Sequence, residues 1–371
     1  MPGNPLLIFG LKTPFTPGLV KNGYSVKNMH TKEIIKNFVK KLGPIYYFLR
    51  KLVYRRRLLK RKPEGLDIEL TNRCNLRCNY CPKSKGYNSG VEGDMDFDFF
   101  KKIIDEAFQV LNLKQVGLTG FGESFLYSHI FEAIEYVKNK SPKIKVSITT
   151  NGILLTEETG KKIINSGLDS LSISINFFNR EKYKKWSNFD FYDLVVKNAG
   201  KFLTLLRKEK SNKPKVYVQI LDTVNTNEEI EEFKKYWSPQ LVFNSEIQIQ
   251  PFVNWGGIIN NLKERERGDY ILQERYPCGH LGGSVINKDG DVLACCMAFP
   301  LSQNDKTLVL GNLKEQSLLL CCCGEKIKKL RKMNVEGKLE QLPLCSKCDA
   351  WKTSINVWFK NKLFKGIRKW I

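Results

Sequence analysis

The chain has 371 residues, with 61 Lys and Arg against 38 Asp and Glu, and a formal charge of +23. At this length it holds two or three domains and a full-sized core, and 42% hydrophobic with 27% charged residues excludes wholesale disorder. No run approaches the roughly 18 apolar residues that a membrane-spanning helix needs, and the opening MPGNPLLIFGLKTPFTPG has no charged stretch ahead of its short apolar patch, so no secretory signal is expected there.

The charge is unevenly placed. Residues 1–63 carry fifteen Lys and Arg and one acid, Glu33, while residues 350–371 carry six Lys and Arg and no acid. The 286 residues between hold 40 basic and 37 acidic side chains, so the body is nearly neutral.

From Gly65 onward strand and helix patterns alternate. Leu66–Leu70 reads as the first strand, followed by a long cysteine-bearing loop. Asp96–Leu111 is an amphipathic helix, with Phe99, Phe100, Ile103, Ile104, Ala107 and Leu111 on one side. Strand 115–119, helix 130–139, strand 144–149, a helix capped by Thr156 and stopped by Gly167, and strand 168–175 follow. Helix 190–208, strand 215–221, helix 227–237 and strand 246–251 complete the series. Six strands interleaved with helices predict a parallel α/β sheet, open or closed as an incomplete (βα)6 TIM-like barrel. Chemistry in such folds sits at the C-terminal ends of the strands, which here are the loops 71–90, 120–124, 149–152 and 174–179. Beyond Trp255 Gly and Cys rise and the strands shorten, which predicts a small C-terminal cysteine-rich domain organised by metal rather than by a large core.

Eleven cysteines, an odd number in tight clusters, point to metal or iron–sulfur ligands in a reducing compartment and so to a cytoplasmic protein. Cys74, Cys78 and Cys81 follow the first strand. Three thiolates within eight residues can wrap one face of a [4Fe–4S] cluster that wants four Cys ligands, leaving one iron open to a substrate; a structural site borrowing a distant fourth Cys is the alternative.

This C-x3-C-x2-C spacing, with the aromatic Tyr80 before the third Cys, resembles the motif of the radical S-adenosylmethionine (SAM) enzymes. Phe121-Gly122-Glu123-Ser124, preceded by Gly120, resembles that family's G-G-E-P motif after the second strand, departing from it at Phe121 and Ser124. The resemblance implies that this backbone and Glu123 hold the methionine amino group of SAM. It also implies that Thr149, Asn151, Ser172 and Ser174 contact the ribose and carboxylate, and that Tyr80 packs near the adenine. Ser174-Ile175-Asn176 departs from the family's commoner acid at the third position. The activity implied is reductive cleavage of SAM to methionine and a 5′-deoxyadenosyl radical that takes hydrogen from a substrate, with a flavodoxin or ferredoxin as electron donor.

Cys278, Cys295, Cys345 and Cys348 supply four more thiolates. The run Cys278-x11-Gly290-x4-Cys295 resembles the opening of the SPASM, or shorter twitch, auxiliary-cluster domain of the same enzymes. A hairpin over 285–292 with Asp289-Gly290 at its turn brings Cys278 and Cys295 together, and Cys345-x2-Cys348 closes the set. No Cys follows Cys348, so one auxiliary [4Fe–4S] cluster is expected; spacing alone also allows a four-cysteine zinc site. The Gly-x4 offset favours Cys295 over Cys296. Cys321, Cys322 and Cys323 fall in a helical stretch, where neighbours point about 100° apart, and read as buried small hydrophobes. His280, two residues after Cys278, reads as structural, with a proton donor near the substrate as the alternative.

The ends are basic and amphipathic. Ile35, Phe38, Leu42, Ile45, Leu49 and Leu52 recur at helical spacing among Lys and Arg, and Ile355, Phe359, Leu363, Ile367 and Ile371 recur every four residues beside Trp358 and Trp370. Such helices read as elements for an anionic membrane surface, with RNA binding and simple solvated packing as competing readings. The domains expected are a basic extension 1–63, a radical SAM core 64–255, an auxiliary-cluster domain 256–349 and a basic helix 350–371. The function expected is a radical SAM, oxidoreductase-like enzyme acting on a small-molecule or lipid-linked substrate, a sugar or lipid-linked saccharide, at the inner membrane face. Maturation of a ribosomal peptide is the alternative within the class. A nucleic-acid-binding protein with structural Cys–metal sites is the alternative outside it, disfavoured because the charge leaves the body nearly neutral.

Overall fold

The computed structural model describes residues 62–223, 227–260, 277–302 and 305–352, together with Leu59. The basic segments read at the two ends lie almost wholly outside these residues. Six parallel strands run in sequence order: β1 (Gly65–Ile68), β2 (Gln115–Gly117), β3 (Lys145–Thr150), β4 (Ser170–Asn176), β5 (Lys215–Asp222) and β6 (Glu246–Pro251). The helices between them are α1 (Phe97–Val110), α2 (Ile130–Lys140), α3 (Glu157–Asn165), α4 (Arg180–Ser187), α5 (Tyr192–Lys208) and α6 (Asn227–Trp237). Asp96 caps α1 by accepting from Phe99 N at 2.8 Å, and Thr156 caps α3 by accepting from Thr159 N at 3.2 Å.

Side chains alternate across a strand, and that alternation sorts the sheet. Leu66, Ile68, Val116, Val146, Ile148, Leu171, Ile173, Ile175, Val216 and Val218 are all buried in one apolar cluster with the inner faces of the helices. The opposite, partly exposed face carries Asp67, Ser147, Thr149, Ser170, Ser172, Ser174, Asn176 and Tyr217. One face is therefore a core and the other a polar wall.

α4 does not appear in the sequence pattern. Of its eight residues, REKYKKWS, only Tyr183 and Ser187 are buried, so it has no apolar stripe to reveal it. The C-terminal region extends the same sheet. Its strands β7 (Val285–Ile286), β8 (Asp291–Leu293) and β9 (Val309–Asn312) do not form a separate small sheet. β7 pairs parallel with β1, β8 and β9 follow antiparallel, and one nine-stranded sheet runs β6-β5-β4-β3-β2-β1-β7-β8-β9. Its edges β6 and β9 do not meet, so the barrel is open. Val285, Ile286, Val292, Leu293, Leu308 and Leu310 join the apolar core, so ordinary burial as well as any metal organises this region. The helical stretch expected over 318–330 is broken at Gly324 into α7 (Leu318–Cys323) and α8 (Glu325–Val335), and α9 (Pro343–Lys347) follows.

A continuous sheet couples the two regions. Ile286→Ala removes a fully buried side chain from the β1–β7 junction and is expected to cost about 2–5 kcal/mol. The loss should appear as a downward shift of one cooperative denaturant transition; two resolved transitions, with only one moved, would contradict the coupling.

Candidate functional site

The first cysteine loop is held from both sides. Arg73 makes a paired contact with Asp94, Nε to Oδ1 at 3.0 Å and an Nη to Oδ2 at 2.7 Å, and also donates to the Leu126 carbonyl at 2.7 Å. Asn72 closes the loop on itself through Val91 O and Gly93 N. From the far side, Asn79 N donates to Trp186 O at 2.7 Å and Asn188 Nδ2 to Arg77 O at 2.6 Å, so the unforeseen α4 is a support of this loop. Within it Cys74, Cys78 and Cys81 lie close enough to perturb one another. Burial pushes the Cys78 thiol up to about 12 and Cys81 to about 11, with neighbouring cysteines adding to the shift, while Lys83 and Arg77 act in the opposite direction at Cys74 and Cys81. Tyr80 packs on Phe177 at 5.8 Å between ring centroids, and its hydroxyl accepts from Asn176 Nδ2 at 2.8 Å. Asn176 adopts a left-handed φ of 68° at a bulge in β4, which aims its amide at the loop.

The loop after β2 packs directly beneath. A Cβ on Gly122 would collide with the carbonyls of Thr71 and Arg73, and Glu123 N donates to Arg73 O at 2.8 Å. Only glycine lets the two loops approach this closely. The Glu123 carboxylate is buried, 2% exposed, and latches the end of β3: it accepts from Thr150 Oγ1 at 2.7 Å, Asn151 N at 2.8 Å and Phe125 N at 3.3 Å. Asn151 in turn donates to Asn75 Oδ1 at 2.7 Å, between the first two cysteines. Burial raises the Glu123 carboxyl and these donors offset part of the rise. Thr149 and Ser172 pair across β3 and β4 on the polar face, while Ser174 Oγ donates to Gln219 Oε1 at 2.8 Å. The sequence-derived set Tyr80, Gly120, Gly122, Glu123, Thr149, Asn151, Ser172 and Ser174 thus lies on the cysteine loop, the loop after β2 and the C-terminal halves of β3 and β4.

Glu69 was missed. It is fully buried on β1's polar side and accepts from Phe121 N at 2.8 Å, Ser89 Oγ at 2.7 Å and Lys288 N at 3.2 Å. Gly120 lies against it so closely that a Cβ there would strike its side chain. The signal available was an acid two residues after another acid, Asp67, on an otherwise apolar strand.

The second set converges as its spacing predicts. Cys278, Cys295, Cys345 and Cys348 line one cavity with His280, Met297 and Trp351. Cys296 is not in that lining, and Cys321 and Cys322 are buried in the apolar core instead. Burial holds the Cys295 thiol well above its ordinary range, with Cys296, Cys278, Cys345 and Cys348 adding to it, and holds the His280 imidazole low. Two asparagines that no pattern singles out clamp the ligand-bearing segments. Asn334 bonds both Cys278 N and Cys278 O, at 2.8 and 2.9 Å, and Asn254 bonds the backbone of Lys347 and both ends of Asp349.

Both donor sets are thiols alone, the ligand chemistry of iron–sulfur clusters. Glu123→Gln turns one acceptor into a donor facing Thr150, Phe125 N or Asn151 N, and is expected to cost about 1–3 kcal/mol. A denaturant midpoint unchanged by this substitution would show that Glu123 is not the latch between the two loops.

The comparisons with known proteins agree with this geometry. The sequence model of the radical SAM superfamily matches residues 68–236, and that of SPASM, an iron–sulfur cluster-binding domain, matches residues 278–349. A tungsten-containing aldehyde ferredoxin oxidoreductase cofactor-modifying protein of Pyrococcus furiosus is 26% identical over 284 residues, 68% of this chain and 79% of that protein. A GTP 3′,8-cyclase of Clostridium perfringens is 32% identical over 171 residues, 45% of this chain, and the match spans only 50% of the cyclase. Among solved structures, native anSMEcpe with bound AdoMet and a Cp18Cys peptide superposes with a TM-score of 0.56 at 18% identity, covering 83% of this chain and 99% of that one, a likeness of fold. With its cysteine-bearing open barrel and its second four-cysteine cavity, the chain belongs to the radical SAM superfamily and carries a SPASM domain, whose cofactors are [4Fe–4S] clusters and SAM.

Proposed function

We propose that this enzyme uses SAM to abstract hydrogen from a polar small molecule, a sugar or lipid-linked saccharide, seated against the polar face of the barrel. The observation that carries this reading is the composition of that face: beside the hydroxyls assigned to SAM, Ser147, Ser170 and Tyr217 offer hydroxyls where an apolar or aromatic substrate would need carbon. Cys74, Cys78 and Cys81 hold the cluster with the open iron, and the cluster and SAM together supply the hydrogen-abstracting radical. Gly120 and Gly122 give SAM close backbone approach, Glu123 keeps the adjoining loops in register, and Thr149, Asn151, Ser172, Ser174 and Tyr80 complete its cradle. Cys278, Cys295, Cys345 and Cys348 hold the auxiliary cluster, which suits an oxidation in which it accepts an electron. A small acidic electron carrier of the flavodoxin or ferredoxin type supplies the reducing electron.

The names of the relatives, a cofactor-modifying protein and a nucleotide cyclase, point to different substrates, so neither name sets this one. Among the described residues no helix is long and apolar enough to cross a membrane. The basic ends, from their sequence, bring the enzyme to an anionic surface where each Lys or Arg adds around 1 kcal/mol.

Anaerobically reconstituted protein is expected to hold about eight irons in two four-iron clusters. Cys74→Ala should lower this to about four and abolish SAM cleavage under dithionite. Cys345→Ala should also lower it to about four but leave SAM cleavage in place. Bound zinc with no SAM cleavage in the native protein would overturn the enzyme reading. Deleting residues 30–63 should reduce flotation with vesicles containing phosphatidylserine; undiminished flotation would remove that segment as the anchor.

A further inference from the structure

Asp67 is an exposed acid of the polar face that, unlike Glu69, has no protein partner among the described residues. It stands on β1 in register with Gly117 of β2, which pairs with Ser147 of β3, which pairs with Ser170 of β4. A Cβ on Gly117 would collide with Asp67 Oδ1 and lie 3.5 Å from Ser147 Oγ. The carboxylate therefore leans across β2 into room that only glycine leaves, toward the hydroxyl on the next strand. Among the described residues it has no hydrogen-bond or ion-pair partner, whereas Glu69, two residues on, has three donors.

Crowding by protein raises the Asp67 carboxyl to about 6, with no compensating donor. The Cys296 thiol feels its charge, which puts Asp67 on the side of the barrel that meets the second cysteine set. The lysines of this face, Lys145 and Lys215, stand at the first residues of β3 and β5, and Lys215 is paired with Glu246 at 2.7 Å. Among the described residues the row Asp67, Gly117, Ser147 and Ser170 thus sets one unpaired carboxylate beside hydroxyls and ends in Lys215, whose ammonium is held by Glu246.

We propose that Asp67 is the substrate-anchoring residue, accepting hydrogen bonds from the hydroxyls or the ammonium of a neutral or amine-bearing sugar ring and disfavouring a phosphate on the ring set against it. This rests on the polar face being the reaction chamber. An unpaired carboxylate is the acceptor that a charged or neutral donor strengthens most, and like charge beside it is penalised.

Two ligands with the same ring and opposite charge test it: glucosamine and glucose 6-phosphate, titrated calorimetrically into SAM-loaded holoenzyme. Native protein should bind glucosamine at least about tenfold more tightly, the worth of one charge-assisted contact, and Asp67→Asn should erase that preference. The variant should keep its iron content, its SAM affinity and a melting temperature no lower than native. A preference unchanged in Asp67→Asn, preference for glucose 6-phosphate, or no glucosamine binding by native protein overturns the proposal. A variant that melts lower or loses iron overturns it too, since Asp67 would then be structural. If native holoenzyme binds glucosamine but fails to cleave SAM, the proposed reaction falls while the anchoring role stands.

Discussion

The arrangement depends on one buried carboxylate. Glu69 has no exposed surface, and an isolated ionised carboxyl in such a place would be strongly unfavourable. It is kept by three donors from three distant segments: Ser89 from the cysteine loop, Phe121 N from the loop after β2, and Lys288 N from the hairpin of the SPASM region. The burial penalty becomes a requirement that all three segments be in place together. Lys288 adds its charge nearby, although its ammonium is bonded to Asp289 at 2.7 Å. The loop after β2, the cysteine loop and the C-terminal hairpin therefore share a fixed point at the top of β1.

Around that point the strand period of two does the sorting. Residues with branched or long apolar side chains fall under α1 to α6, and small hydroxylated ones fall on the open wall. The run LDSLSISIN of β4 is the plainest example, because each Ser and each apolar residue takes the opposite side. Such a wall is unlike the doubly buried strands of a sheet covered on both faces, which read as continuous apolar runs. An open barrel solves the problem differently, by leaving one face wet for a ligand.

Much of this was legible in the chain. β5, β6, α1, α5 and α6 fell within a residue or two of their expected limits because each carries a strong period and a recognisable end. The four-cysteine cavity was legible because its spacing is a motif; the Gly-x4 offset chose Cys295 over Cys296, and Cys295 but not Cys296 is in the cavity lining. What the sequence concealed was nonlocal or featureless. α4 is nearly all polar, and its role appears only through Trp186 and Asn188 touching the cysteine loop. β7 is two residues long, too short for any period, and its place beside β1 is a pairing that no local pattern states. Glu69, Asn254 and Asn334 are single residues whose meaning lies in partners 20 to 219 positions away.

The two cysteine sets also sit in different electrostatic frames, and the difference follows from how each is clamped. The first loop is fastened by charged side chains: Arg73 to Asp94, and Arg77 and Lys83 to Glu92 at 3.0 and 3.1 Å. Arg77 and Lys83 thereby stand close enough to ease negative charge onto Cys74 and Cys81. The second set is fastened by neutral amides, Asn334 and Asn254, and at Cys295 burial leads and the neighbouring cysteines add to it, all against charge. Among the described residues, cations thus stand among the favourable influences at Cys74 and Cys81, whereas the leading influences at Cys295 are burial and other thiols. Potentials of such clusters follow net charge, hydrogen bonding and exposure, so the choice of ion pairs in one loop and amides in the other is itself a way of making two sites with the same ligands differ.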